Sequence, residues 1–131
     1  DIINKLEAIN KFSGLEQSKD LAASNKRVSN ILKKFTGSIG EIDESLLNEA
    51  EEIQLFKTIN KLNPKITNDL KKKNFIGALN SLVYLKNPID QFFEKVMVNS
   101  EDEKIKNNRH NLLKQLHISL NSVADISKLA N

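Results

Sequence analysis

The chain has 131 residues, 39% of them hydrophobic and 28% charged, the proportions of one globular domain with a single core. It contains no cysteine, which excludes a disulfide framework and any thiolate metal site and fits a reducing, cytoplasmic setting. The formal net charge is only +3, and no apolar run approaches the roughly 20 residues a membrane-spanning helix needs.

The chain starts at Asp1, followed by Ile2 and Ile3, which is expected of a fragment of a longer protein that forms one domain over residues 1–131. Glycine and proline are scarce, and apolar residues recur at three- and four-residue steps, so the fold class is all-α: a bundle of about five to seven helices without a sheet. Ile2, Leu6, Ile9 and Phe12 make the first apolar stripe, stopped near Gly14. Leu21, Val28, Ile31, Leu32 and Phe35 make the second, ended by the loop Thr36–Gly40 with its two glycines. Asp43 or Ser45 caps a short turn, and a long helix follows with Ile53, Phe56, Ile59 and Leu62 on one face. Pro64 lies inside that pattern and predicts a kink or a break.

Asn74 caps a helix over Phe75–Leu85. Asn87 and Pro88 read as a cap and a first helical position, opening a helix that runs to about Val98. Ser100 and Glu103 are spaced as a capping box. The last helix is expected from about Glu101 to about Leu129, some 40 Å and the longest in the chain.

Charge is segregated along the chain. Lys26, Arg27, Lys33 and Lys34 form one basic block; Glu41, Asp43, Glu44, Glu49, Glu51 and Glu52 form an acidic patch; Lys57, Lys61, Lys65 and Lys71–Lys73 are basic again. On a helical projection of the second stripe, Lys26, Asn30 and Lys33 point away from the apolar side, with Arg27 and Lys34 on an adjoining row. Each pair, Lys26 with Lys33 and Arg27 with Lys34, spans about 10 Å along the axis, which suits successive phosphates of a nucleic-acid strand. The same four cations also describe an ordinary solvated face.

Two polar residues fall where a core is expected. Asn25 lies on the apolar side of the second helix, either tying that helix to a loop carbonyl or reading a base. Arg109 shares a side with Ile105, Leu112 and Leu116; it either clamps the last two helices through Asp102, Glu94 or Asp90, with Asp102 favoured, or meets a phosphate. Asp125 reads as a further tether near the C-terminus. Phe75 is the one phenylalanine beside a basic turn, and stapling a helix start is favoured over stacking on a base. Catalysis finds little support: His110 and His117 are seven apart, unlike a metal-binding pair on a helix, and no glycine-rich phosphate loop occurs.

Two stretches carry a family resemblance. PIDQFFEKVMVNSEDEKIKNNRHNLL at Pro88–Leu113, with VADISKL at Val123–Leu129, resembles the C-terminal end of the β subunit of bacterial glycyl-tRNA synthetase of the α₂β₂ type. LAASNKRVSNILKK at Leu21–Lys34 is similar to the segment ahead of it, and both blocks stand in the family's order. The resemblance implies an all-helical, DALR-type anticodon-binding domain of the kind shared with arginyl-tRNA synthetase, although no DALR tetrapeptide occurs here. It implies a full enzyme that joins glycine to its tRNA with ATP, the α subunits binding glycine and ATP. It also implies a non-catalytic domain without a cofactor or metal of its own. The implied partners are the anticodon arm of the tRNA for glycine, the remainder of the β subunit and the α subunit, with no membrane and no DNA. Lys26, Arg27, Asn30, Lys33 and Lys34 become the expected RNA-binding set, and Asn25, Asp102, Arg109 and Asp125 the structural polar set. The rival reading is a helical module for α/β assembly, whose mark is an exposed apolar patch.

Overall fold

Helix-forming periodicity produces six α-helices and one 3₁₀ turn in the computed structural model, which describes residues 2–13 and 16–123. They are α1 (Ile2–Ser13), α2 (Glu16–Lys34), the 3₁₀ turn (Glu44–Leu46), α3 (Ala50–Lys71), α4 (Phe75–Val83), α5 (Lys86–Lys95) and α6 (Glu103–Leu120). No strand occurs among the described residues, and the helix count falls in the expected range. Gly14, Asp125, the expected helix end at Leu129 and the side chains of Ile2 and Phe12 lie outside the described residues.

The core forms where the apolar stripes meet. α3 packs on α4, α5 and α6, α1 packs on α4, and α2 packs on α6. Leu21 and Val28 of α2, Leu55 and Ile59 of α3, Leu79 and Leu82 of α4, Ile89 and Phe92 of α5, and Leu112, Leu113 and Leu116 of α6 are all buried. The described part of the first stripe differs from the expected one: among the described side chains of α1 Ala8 is the buried one, Ile9 is half-buried, and Leu6 stays 55% exposed.

Local chemistry accounts for the helix ends. The Asp43 carboxylate caps the 3₁₀ turn by accepting from Ser45 N at 3.0 Å and from Ser45 Oγ at 2.6 Å. These hydrogen bonds, the side-chain one first, hold the Asp43 carboxyl below its ordinary range. α3 buries Glu52, Leu55, Ile59, Leu62 and Ile66, alternating three- and four-residue steps on one face. The break considered at Pro64 does not occur, since α3 continues to Lys71. Pro64 and Asn60 are both exposed, so the carbonyl that loses its amide partner is on the wet side of the helix. Asn74 caps α4 as expected, accepting from Gly77 N at 3.1 Å.

Several boundaries differ from the sequence reading. α4 ends at Val83 instead of Leu85, and α5 starts at Lys86 with Leu85 as its cap residue instead of Asn87. Leu85 is fully buried and pins a junction with almost no loop. Pro88 sits inside the first turn of α5, where backbone N–H groups have no helical partner to lose. α5 stops at Lys95, not near Val98, because Val96 turns extended and buries its side chain. α6 is 18 residues long and is not the longest described helix, since α3 has 22. Its cap is Asp102 rather than Ser100; the Asp102 carboxylate accepts from Lys104 N at 2.9 Å and Ile105 N at 3.3 Å. At the other end Asn121 donates twice to the His117 carbonyl, from its backbone N at 3.1 Å and from its side chain at 2.7 Å.

Where α3 ends, Asn74 N donates to Asp69 O and Lys73 N to Leu70 O, the paired closure that puts one residue in the left-handed region. That residue is Lys73, with φ 58°, where glycine would meet no Cβ penalty. Lys73→Gly is therefore expected to stabilise the domain by about 1 kcal/mol. A urea midpoint that fails to rise in the variant would contradict this account of the turn.

Candidate nucleic-acid interface

α2 is held by a narrow buried side: Ser18, Leu21, Ala22, Asn25 and Val28. The opposite side is thereby turned to solvent, and Lys26, Arg27, Asn30, Lys33 and Lys34 are all exposed. Lys26, Arg27, Asn30 and Lys34 border one shallow groove of about 380 Å³ floored by Ala23 and Ile31. Lys33 is not part of its lining. Arg27 is set apart from the lysines, because its guanidinium lies 4.0 Å from the centre of the Phe93 ring on α5. Asp90 and Glu94 border that side of Arg27, so its field is partly offset there.

The buried polar residues form a separate system. Asn25, only 2% exposed, pairs amide to amide with Asn121, both N–H···O contacts being 3.0 Å. The contact ties α2 to a side chain at the end of α6 and not to a loop carbonyl. Arg109 is buried and does bind a carboxylate, yet that carboxylate is Glu52, at 2.9 Å, and not Asp102. Asp102 is exposed and occupied in capping α6. The guanidinium also donates to Asn48 Oδ1 at 3.1 Å and to the Met97 carbonyl.

Glu52, one of the acidic patch in the sequence, is fully buried and belongs to the core. Its Oε1 accepts from Glu49 N at 3.1 Å as well as from Arg109. A signal for it existed. Glu52 stands three residues before Leu55 and seven before Ile59, on the very face that packs inward.

Asn108 and Asn111, neither singled out by the sequence, hold the loop after α2. Asn108 accepts from Asp43 N at 2.7 Å and donates to Asp43 O at 3.0 Å. One turn on, Asn111 accepts from Gly40 N at 2.9 Å and donates to Glu41 O at 3.3 Å. His110 stacks on Phe35, ring centres 3.9 Å apart and planes 12° from parallel. Its Nδ1 is 2.8 Å from the Lys106 carbonyl, which can only accept, so Nδ1 carries the hydrogen. Burial pushes the His110 pKa below its ordinary value. Phe75 opens α4 and packs on the core, with the Lys5 ammonium 5.9 Å from its ring centre.

Among the described residues no group of three or more His, Cys, Asp or Glu is placed to hold a metal ion, and no helix is long and apolar enough to cross a membrane. The chain belongs to the DALR anticodon-binding domain family, whose model matches residues 21–128. It is 44% identical over 131 residues to the glycine–tRNA ligase beta subunit of Janthinobacterium sp. (strain Marseille), covering 99% of this chain and 19% of that protein. Identity is 45% over 129 residues to the beta subunit of Neisseria meningitidis serogroup C (strain 053442), covering 98% and 19%. It is 44% over 131 residues to that of Dechloromonas aromatica (strain RCB), covering 99% and 18%. The chain thus spans about a fifth of the length of the curated relatives it matches.

Two outcomes follow from this geometry. Arg109→Ala strands the buried Glu52 carboxylate and is expected to cost about 3–5 kcal/mol, whereas Asp102→Ala removes only a helix cap and costs about 1 kcal/mol. Equal urea midpoints for the two variants would contradict the assignment. For His110, a lowered folded pKa means that the unfolded chain takes up the proton more readily. Its contribution to stability is therefore present above the unfolded value of about 6.5 and lost as pH falls from there through the folded value. His110→Phe keeps the stack on Phe35 and should flatten that part of the stability–pH curve; an unchanged slope would show that His110 does not titrate in this way.

Proposed function

We propose that this domain holds the anticodon arm of the tRNA for glycine, as part of the β subunit of an α₂β₂-type glycyl-tRNA synthetase acting in the cytoplasm. The observation that carries the reading is the likeness to beta subunits along nearly the whole chain, 44% over 131 residues, in a domain of the anticodon-binding family. The exposed cations of α2 supply the chemistry. Lys26, Lys33 and Lys34 neutralise phosphates and release counterions, with Arg27 and Asn30 as further contacts. Such contacts position an RNA without reading its sequence.

The domain itself performs no bond making. Glycine and ATP are handled by the α subunit, and this domain converts the identity of a distant RNA loop into affinity and placement. A second role, in assembly, is favoured by α1. Ile3 and Leu6, one turn apart, are 67% and 55% exposed, an apolar edge suited to the remainder of the β subunit or to the α subunit. The two roles use different helices and are compatible.

Replacing Lys26 and Lys33 together by alanine is expected to weaken binding of many RNAs alike and to flatten the salt slope by about 1–2 units. Stability should hardly change, because both side chains are exposed. Titrations of the tRNA for glycine at two salt concentrations check it. Unaltered affinity and slope would show that α2 is not the phosphate-binding face.

A further inference from the structure

A second basic surface lies between α3 and the junction of α4 with α5. It is an open groove of about 780 Å³. Lys57, Lys61 and Lys65 stand along one wall at four-residue steps, about 6 Å apart along the helix axis. Tyr84 stands on the other wall, 71% exposed. The α4–α5 junction explains that exposure. Leu85 takes the buried position there, which turns its neighbour Tyr84 outward. No other ring or cation stacks on Tyr84 among the described residues.

Among the described residues no carboxylate lines this groove, and the nearest acids stand at its ends, Asp69 beside Lys65 and Glu51 in the adjoining hollow that shares Gln54, Asn87 and Pro88; Asp90 and Glu94 border Arg27 on the other flank of α5. Lys57 and Lys61 pair with no carboxylate of the described residues. Lys65 donates to Ser81 Oγ at 3.0 Å and lies 3.9 Å from Asp69, which orients its ammonium beside the groove. The carboxamides of Gln54 and Asn87, also on the lining, offer both donors and acceptors.

We propose that this groove is a site for unpaired RNA nucleotides, with Tyr84 as the platform on which a base stacks and Lys57, Lys61 and Lys65 as the contacts to the flanking phosphates. The inference rests on the RNA-binding reading of the domain and adds a place for the loop. A cationic track beside a solvent-facing ring is the combination that holds single-stranded nucleic acid, since every base has a face to stack. A duplex keeps its bases covered and gains nothing from the ring. α5 presents Asn87 and Pro88 to this groove and Phe93 to the α2 surface.

The test uses the complete synthetase and two RNAs: the anticodon stem-loop of the tRNA for glycine, and the same stem closed as a fully paired duplex. Tyr84→Ala is expected to weaken the stem-loop about tenfold, the scale of one stacked base, and to leave the duplex unchanged. Tyr84→Phe keeps the ring and should restore wild-type affinity. Lys57→Ala with Lys61→Ala should lower the salt slope for the stem-loop by about 1–2 units. If Tyr84→Ala binds the stem-loop as wild type does, or loses both RNAs equally, the groove is not a nucleotide site, while the α2 reading stands. If the wild-type protein binds neither RNA, the parent reading falls and this one with it.

Discussion

A guanidinium that cannot shed its proton, placed inside a helical bundle, constrains everything packed around it. Arg109 meets that constraint with three acceptors from three parts of the chain: Glu52 in the first turn of α3, Asn48 just before α3, and the Met97 carbonyl just after α5. The end of α5 supplies one of them. Val96 leaves the helix, the Met97 carbonyl faces Arg109, and the Met97 side chain is left 68% exposed. A buried pair of this kind adds little net stability over well-packed apolar residues, since desolvating two charges offsets most of their attraction. The satisfaction is also incomplete, with Glu52 Oε2 and Arg109 Nε lacking a partner. What the pair imposes is selectivity, because any packing of α6 that separates the two charges leaves both uncompensated in the core.

The rest of the polar side of α6 works by the same accounting. The segment after α2 has no helix or strand to take its backbone groups, so those groups need partners elsewhere. Asn108 and Asn111 supply two bonds each, acting on Asp43, Gly40 and Glu41 much as an adjoining strand would. Gly37 leaves room for this, since a Cβ there would run into the Phe35 ring and Asn107 Oδ1. Asn25 with Asn121 and Phe35 with His110 then fasten α2 to α6 at two further points. The lysines on the outer face of α2 are thus carried by a helix whose inner face is pinned along its length. Contacts to a ligand are worth more when the groups that make them are already in place.

These ties also explain which features could be read in the chain. Helical class, the caps at Asp43 and Asn74, and the burial of Arg109 and Asn25 follow from local rules: periodicity, side-chain capping, and a polar residue on an apolar stripe. The partners did not, because they lie far away in sequence; Glu52 is 57 residues from Arg109 and Asn121 is 96 from Asn25. Asp102 looked the better mate for Arg109 because it was near, but a carboxylate at the head of a helix has its own amides to serve. α6 misled most, since residues 108–113 are buried without a break and no single-face periodicity describes a helix covered on several sides. Of the candidate interface, the exposure of the α2 cations was legible from a projection. The stacking of Arg27 on Phe93 was not, since it depends on how α5 crosses α2.

Net charge is a poor guide to what this surface does. Of the six acids between Glu41 and Glu52, Glu52 is inside, while Glu41, Asp43 and Glu44 stay exposed beside the loop that α6 holds. Glu52 goes inside together with Arg109, so the surface sum is unchanged and placement is what differs: the cations of α2 and α3 stand on the helices that flank α5, and Glu41, Asp43 and Glu44 are together at the loop. A nearly balanced sum so distributed attracts a polyanion to some faces and turns it from another. Orientation, more than affinity, is what such a field supplies: phosphates can approach along either flank of α5, and the acidic loop defines a direction from which they are repelled. Steering of that kind acts at the range of the Debye length, before any lysine touches an anion, and the pinned helices then determine what a polyanion meets on arrival.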